Sequence, residues 1–447
     1  MLKKILRYFF ISLLVFIGLI LLFLAFAIAP INRSLPPEHA YYKEMLDRIT
    51  PQHAATKGNF SIGFAKENLT PSHPTALAGY GNRRGKKYDI VHDSIYVRAM
   101  VVSNGAARVA IVSADLLIIP PSVTERLGRE LPDIGFTLDN TYLGATHTHN
   151  SIGNWGKGAT GLLFGAYEDS IVTMITDKIK RCIQKASADI LPATIRYGRV
   201  PVGRAVDNRL TEGGPVDSLL RVIDVVRADS SKLLLMSYTA HATCLFSRDL
   251  NLSRDYPGKL VDEVEASGYT FAMFLAGSVG SHGCNAPEYG QVCIDWVTGK
   301  LMRKLNGPKD WLSPVRDSAL LMYRVPLALG SPQVKISKDW RIRPWLFRAA
   351  FGEYQPYLTA LRLGDITLLG TPCDFSGEFN AALDSAAVPH GGHTIVTSFN
   401  GAYIGYVTPL KYYDVDHYET RLTNWYGPGT GEYLLTCLEK MMEAVTD

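Results

Sequence analysis

The run Thr146-His147-Thr148-His149-Asn150 closes an apolar segment and is the densest cluster of reactive side chains in the sequence. Residues two apart on an extended chain point to one side, so strand periodicity aims both imidazoles the same way. Two such imidazoles can share a metal ion or hold an anion. A third histidine, His241, lies in Tyr238-Thr239-Ala240-His241-Ala242-Thr243, again at the close of an apolar run. Strand ends that feed loops are where α/β proteins build sites. A zinc site would add an oxygen ligand and an open position for water. The strand-like run from Asp365 to Pro372 leads into Cys373-Asp374-Phe375-Ser376-Gly377-Glu378. Either Asp374 or Glu378 can supply the oxygen, and each equally suits the first turn of a helix. The segment from Ala402 to Pro409, followed by Tyr412, Tyr413 and Tyr418, is rich in phenols. Gly280-Ser281-His282-Gly283 can hold a nucleophile or an oxyanion site, but the sequence has no G-x-S-x-G elbow, P-loop or dinucleotide fingerprint. The six cysteines show no C-x-x-C spacing. Cys284 and Cys293 suit a local disulfide, with buried free thiols as the other reading.

The elements that must position these groups follow from periodicity. Strand-like apolar runs start at Val97, Thr194 and Leu219 and end at Leu116, His149, Ala242 and Gly277. Between them Ile171, Ile175, Ile179 and Ile183 recur at helical spacing, as do Leu434, Leu435, Leu438, Met441 and Met442. The pattern predicts one mixed α/β (α+β) domain over 60–447, a layered sheet core with flanking helices. With 447 residues, 47% of them hydrophobic and 20% charged, the chain has ample material for a core. Lys3, Lys4, Arg7 and Arg33 precede the first acidic residue, and the rest of the chain is charge-balanced, which excludes nucleic acid as a partner. No protein partner is indicated. From Phe9 to Ala29 no charge occurs, enough helix to cross about 30 Å of hydrocarbon. Residues 1–30 are therefore expected to be a transmembrane anchor. The preceding cations leave the N-terminus cytoplasmic and export the rest, to a periplasmic or extracellular location. Ala25-Phe26-Ala27 has the pattern of a cleaved signal, although the apolar run exceeds the usual signal core of about 7–15 residues. Residues 31–59, polar and proline-bearing, are expected to form a stalk. Two aromatic segments, Trp155 with Leu162-Leu163-Phe164 and Trp340 with Trp345-Leu346-Phe347 and Phe351, suit a membrane interface or ordinary packing.

Taken together, the motifs resemble the neutral (non-lysosomal) ceramidase family, zinc amidases that hydrolyse the N-acyl bond of ceramide. The resemblance runs from about Ile62 to the C-terminal helix and covers the catalytic domain. Ile62 to Lys66 with Gly79-Tyr80 looks like the family's opening strand and GY turn, and Val112-Ser113-Ala114-Asp115 like its VSxD strand. Thr146 to His149 matches its THTH motif, and Ala240-His241-Ala242-Thr243 is similar to its AVHGT segment. Asp255-Tyr256-Pro257-Gly258 resembles its GDxxG. Tyr406-Val407-Thr408, Tyr413, Tyr418-Glu419 and Tyr426-Gly427-Pro428 run in order against its C-terminal signature.

By that resemblance zinc is held by His147, His241, Asp374 and Tyr406. His149 faces the developing oxyanion, Arg209 of the Asn208-Arg209 pair helps it, and Tyr413 orients the site from behind. The implied activity is hydrolysis of a lipid amide by a membrane-anchored zinc enzyme. Two departures stand out. Where the family has PGEF, this chain has Pro372-Cys373-Asp374-Phe375, one methylene shorter at the carboxylate. At the serine of the family's GDVSP it has Gly283, with Ser281 or His282 left to deputise. The missing serine motivates an alternative: a relative that cleaves another amide or only binds a lipid or envelope component.

Overall fold

The computed structural model describes residues 2–446. Helix α1 (Leu2–Ala27) is apolar all round and exposed, with a mean hydropathy of 3.1 over its candidate span. It is long and apolar enough to cross a membrane, a test a signal sequence also passes. Strand β1 (Ile28–Pro30) follows at once and pairs antiparallel with Trp340–Ile342.

The body has four layers. The large sheet is built from β2 (Ser61–Asn68), β3 (Tyr96–Ser103), β4 (Arg108–Ala114), β5 (Thr141–Ala145), β6 (Leu191–Pro201), β7 (Leu219–Arg227), β8 (Lys232–Tyr238) and β9 (Phe271–Ala276). Their order across the sheet is β9-β8-β7-β6-β2-β3-β4-β5, with β8–β9 and β4–β5 parallel and the other pairs antiparallel. Helices α3 (Asp169–Ala188), α4 (Asp255–Ala266) and α5 (Gln291–Leu305) cover its outer face. The isoleucine repeat read from the sequence is the buried stripe of α3. The inner face packs on a smaller sheet of β10 (Leu320–Pro326), β11 (Tyr357–Leu363), β12 (Ile366–Thr371) and β13 (His393–Ser398). Behind that sheet lie α2 (Ala40–Arg48) and α7 (Thr430–Thr446), α7 contributing the leucine and methionine stripe. Strands with both faces buried need apolar residues throughout, which explains the near-continuous runs. This is the expected layered, mixed α/β architecture with one N-terminal apolar helix.

Curvature brings the two edges of the large sheet together. The Ser113 hydroxyl of β4 donates to the Phe274 carbonyl of β9 at 2.5 Å. A side chain on Gly144 in β5 would meet Leu275 of β9 at 2.5 Å. The loops after β5 and β8 are thereby held over one point.

Two expectations are corrected. The segment 31–59 is laid on the domain: Met45 and Ile49 are buried in the cluster formed by α7, and the Gln52 amide donates to the Ala444 carbonyl at 2.7 Å. The apolar side of α2 outweighs the polar average that suggested a stalk. The disulfide joins Cys244 to Cys293, and Cys284 is a thiol. The loop after β8 reaches the start of α5, where the Gly290 amide donates to the Cys244 carbonyl at 2.7 Å, and this proximity decides the pairing over sequence distance.

Candidate active site

β5 stops at Ala145, so the two imidazoles of the THTH segment meet for a reason other than strand alternation. His147 adopts a left-handed backbone with φ of 63°, a conformation that costs about 1–3 kcal/mol and persists only where surroundings impose it. Its amide donates to the Leu116 carbonyl at 3.0 Å, and its Nδ1 lies 2.6 Å from the Leu117 carbonyl. A carbonyl only accepts, so Nδ1 carries the proton and the Nε2 lone pair faces inward. Phe399 stacks on the ring at 4.0 Å.

Three Nε2 atoms converge there. His147 and His241 are 2.9 Å apart, His149 and His241 2.8 Å, and His147 and His149 3.2 Å. The three residues form a buried group able to hold a metal ion. Burial pushes the imidazoles of His149 and His241 well below their ordinary value, reinforced by His147 at the first and by the Arg209 cation at the second. Both stay neutral, the form that ligates metal.

A carboxylate completes the cluster. Asp374 is fully buried, and its Oδ1 lies 3.3 Å from His147 Nε2 without a hydrogen bond. Its Oδ2 accepts from the Tyr403 hydroxyl at 2.6 Å. Parallel pairing sets Asp374 opposite Tyr406, whose ring lies parallel to His241 with centroids 6.2 Å apart. Burial, then the Asp374 charge, raises both phenols well above their ordinary value, so each remains a donor. The second candidate, Glu378, is held elsewhere, by Asn208 Nδ2 at 2.9 Å, Tyr412 at 3.2 Å and Lys411 at 2.8 Å.

Arg209 stands beside His241, its Nη2 2.9 Å from Nδ1, and its Nε pairs with the fully buried Glu419 at 2.7 Å. The other Glu419 oxygen accepts from the Ser281 amide at 2.8 Å. Ser281 Oγ is 2.6 Å from Ser376 Oγ and buried, and His282 Nε2 accepts from the Asp217 amide at 2.9 Å. Neither side chain is available as the stand-in nucleophile. At Gly283 an added Cβ would lie 3.2 Å from Arg209 Cδ.

His147, His149, His241, Arg209, Asp374 and Tyr406 all line a cavity of about 1300 Å³, whose other walls include Leu117, Leu163, Phe347, Phe351 and Trp425. Tyr413 is absent from that lining among the described residues. Its ring lies 3.7 Å from the Lys335 ammonium and 6.0 Å from Arg33, and the phenol hydrogen-bonded to Asp374 is that of Tyr403. His149, which the strand spacing aimed to the same side as His147 and the resemblance assigned to the oxyanion, joins the imidazole cluster as a third member. Two further positioning groups escaped notice in the sequence. Glu419 anchors Arg209, and buried Arg83 donates to the carbonyls of His149 at 2.5 Å and Ala78 at 3.2 Å and to Asn150 Oδ1 at 2.9 Å. The only cue for Arg83 was its place three residues after the GY turn, as the first of the cations Arg83, Arg84, Lys86 and Lys87.

Comparison with known proteins agrees with this geometry. The family described as neutral/alkaline non-lysosomal ceramidase, N-terminal, matches residues 60–213, which carry His147, His149 and Arg209. The neutral ceramidase of Pseudomonas aeruginosa is 28% identical over 471 aligned residues, covering 83% of this chain and 70% of that protein. The crystal structure of neutral ceramidase from Pseudomonas aeruginosa superposes with a TM-score of 0.75 at 19% identity, over 87% of this chain and 75% of that one. A ceramidase complexed with C2 gives 0.74 at 18% identity, with the same coverage. Fold, family match and curated relative point the same way: residues 60–213 match the N-terminal part of the neutral/alkaline non-lysosomal ceramidases, and over most of its length the chain is similar to neutral ceramidase.

Proposed function

We propose that this protein is a membrane-anchored, zinc-dependent amidase that cleaves the N-acyl bond of a ceramide-like lipid. One observation carries the reading: three buried imidazoles and a carboxylate with a free oxygen meet at one end of a large, mainly apolar cavity. The donor set fits zinc. Bonds of about 2.0–2.1 Å in tetrahedral geometry put ligand nitrogens about 3.3 Å apart, against 2.8–3.2 Å between these nitrogens. His147, His149, His241 and Asp374 would hold the ion, with the Tyr406 phenol beside them.

When bound, zinc supplies Lewis acidity toward water and an amide carbonyl. The chain's own groups do the rest. Tyr403 fixes which Asp374 oxygen faces the cluster, and the Leu117 carbonyl fixes the His147 tautomer. Arg209 places a fixed cation beside His241, where it stabilises negative charge developing on the carbonyl oxygen. The apolar walls exclude water around the scissile bond and accept an acyl chain. Attack by water needs no side-chain nucleophile, consistent with glycine at position 283. The N-terminal helix supports a retained anchor with its short N-terminus in the cytoplasm and the domain, residues 60–447 with 31–59 packed on it, exported.

The test is metal analysis of the full chain purified in detergent, with turnover measured on N-acyl lipids and soluble N-acyl amino acids. Stoichiometric zinc, its loss in His147→Ala, and a preference for the lipid amide are expected. Protein without zinc, or turnover indifferent to His147→Ala, would sink the enzyme reading; preference for soluble amides would overturn the lipid one.

A further inference from the structure

The apolar helix is joined to the domain without slack. No residue separates α1, which ends at Ala27, from β1, and the pairing Ile28 with Ile342, Ala29 with Arg341 and Pro30 with Trp340 follows directly. Additional bonds lock the junction. The Arg343 amide donates to the Ala27 carbonyl at 2.8 Å and its Nε to the Ile28 carbonyl at 3.0 Å. Trp345 Nε1 donates to the Phe26 carbonyl, the last turn of α1, at 2.8 Å.

Helix geometry gives this junction a depth. From Arg7, the last N-terminal cation, to Phe26 the rise of 1.5 Å per residue amounts to about 29 Å, the thickness of a hydrocarbon core. With Arg7 at the inner boundary, Phe26 lies at the outer one, and Trp345 is bonded to it. Trp340 and Trp345, 49% and 48% exposed, then sit at headgroup level beside Arg341 and Arg343. Tryptophan and arginine are the residues favoured at that depth.

The same junction is part of the cavity. Ile342, paired with Ile28, lines it, and so do Phe347 and Phe351 of helix α6 (Pro344–Phe351). The Ala159 amide donates to the Ala350 carbonyl at 2.8 Å, tying α6 to the short helix Thr160–Phe164, where Leu162 is 74% exposed. Resting on the membrane-anchored reading of α1, we propose that the strand pair at β1, helix α6 and the Leu162 turn form a surface docked on the outer leaflet of a lipid bilayer. Lipid then passes from the bilayer into the cavity between α6 and the Leu162 turn without crossing water. The anchor thereby sets both the distance and the orientation of the cavity mouth, which a loose tether would leave free.

The test uses the full chain in phosphatidylcholine vesicles carrying a trace phospholipid with a photoactivatable group on its acyl chain, followed by peptide mapping. Adducts are expected on residues 340–351 and 159–164 as well as on α1. Adducts confined to α1 would overturn the docking surface whatever the enzyme does. In Leu162→Glu, adducts on 159–164 and 340–351 should fall about fivefold or more while those on α1 persist; unchanged labelling would overturn the Leu162 rim. Turnover of an N-acyl lipid in detergent micelles is measured in parallel on the unaltered chain. Its absence refutes the substrate reading alone, since the labelling pattern does not depend on catalysis.

Discussion

Glu419→Gln removes the carboxylate paired directly with buried Arg209, leaving Asp374, beyond ion-pair distance, as the other acidic charge acting on it. Arg209 Nε lies 2.7 Å from Glu419 Oε1, with side chains 21% and 0% exposed. The remaining neighbours of the guanidinium are the neutral His241 imidazole at 2.9 Å and the Tyr418 ring at 5.8 Å. Leaving one member of a buried ion pair without its partner costs about 3–5 kcal/mol, and at about 1 °C per kcal/mol for a chain of this size the thermal midpoint should drop by about 3–5 °C. The uncompensated cation also faces the imidazole cluster. Across about 5 Å at an effective dielectric of about 20, a unit charge acts on a divalent ion with about 7 kcal/mol, so zinc affinity should weaken by at least about a hundredfold, read by chelator competition. The double variant Arg209→Met with Glu419→Gln removes the unpaired charge and should recover most of the midpoint, a coupling that a double-mutant cycle measures. A single variant that melts within about 1 °C of the unaltered chain, or losses that simply add, would refute the reasoning.

Other predictions concern metal, backbone and pH. Asp374→Ala should lose most bound zinc and Glu378→Ala little, because only the former carboxylate reaches the imidazoles; metal analysis giving the reverse order would reassign the ligand. Gly79 has φ of +109°, and an added Cβ would lie 2.5–2.7 Å from backbone and Cβ atoms of His149, so Gly79→Ala should displace His149 and cut turnover at least about tenfold while Gly268→Ala, with open space around it, does not. Burial pushes the Asp115 carboxyl up to about 6 against the opposing pull of Arg254 and Arg98. The folded state thus holds this proton more tightly than the unfolded chain, and the stability it contributes is present below about pH 4 and lost as pH rises through about 6, about 3 kcal/mol in all. Asp115→Asn keeps an acceptor for the Tyr96 amide and should flatten the dependence of the thermal midpoint on pH between those limits; an unchanged slope would refute it.

The sequence by itself determined much of this protein. Continuous apolar runs fixed the doubly buried strands, because a strand covered on both faces has no polar side to show. The isoleucine repeat located α3, and the charge-free run from Phe9 to Ala29 located α1, which spans Leu2–Ala27, since both signals are local. His147, His241 and Asp374 were legible as strand-end groups, because the ends of apolar runs mark where the chain leaves the core. The tertiary structure alone decided what depends on distant segments meeting. His147 and His241 follow β5 and β8, near opposite edges of the large sheet, and only its curvature brings their nitrogens to 2.9 Å. Asp374 was separated from Glu378 by its register with Tyr406, and it is Tyr403 that reaches the Asp374 carboxylate, because a loop's side chains are aimed by what it packs on. The packing of Met45 and Ile49 against the domain was hidden for the same reason. A single buried methionine and isoleucine against α7 outweigh a polar average, and that contact spans nearly the whole length of the chain.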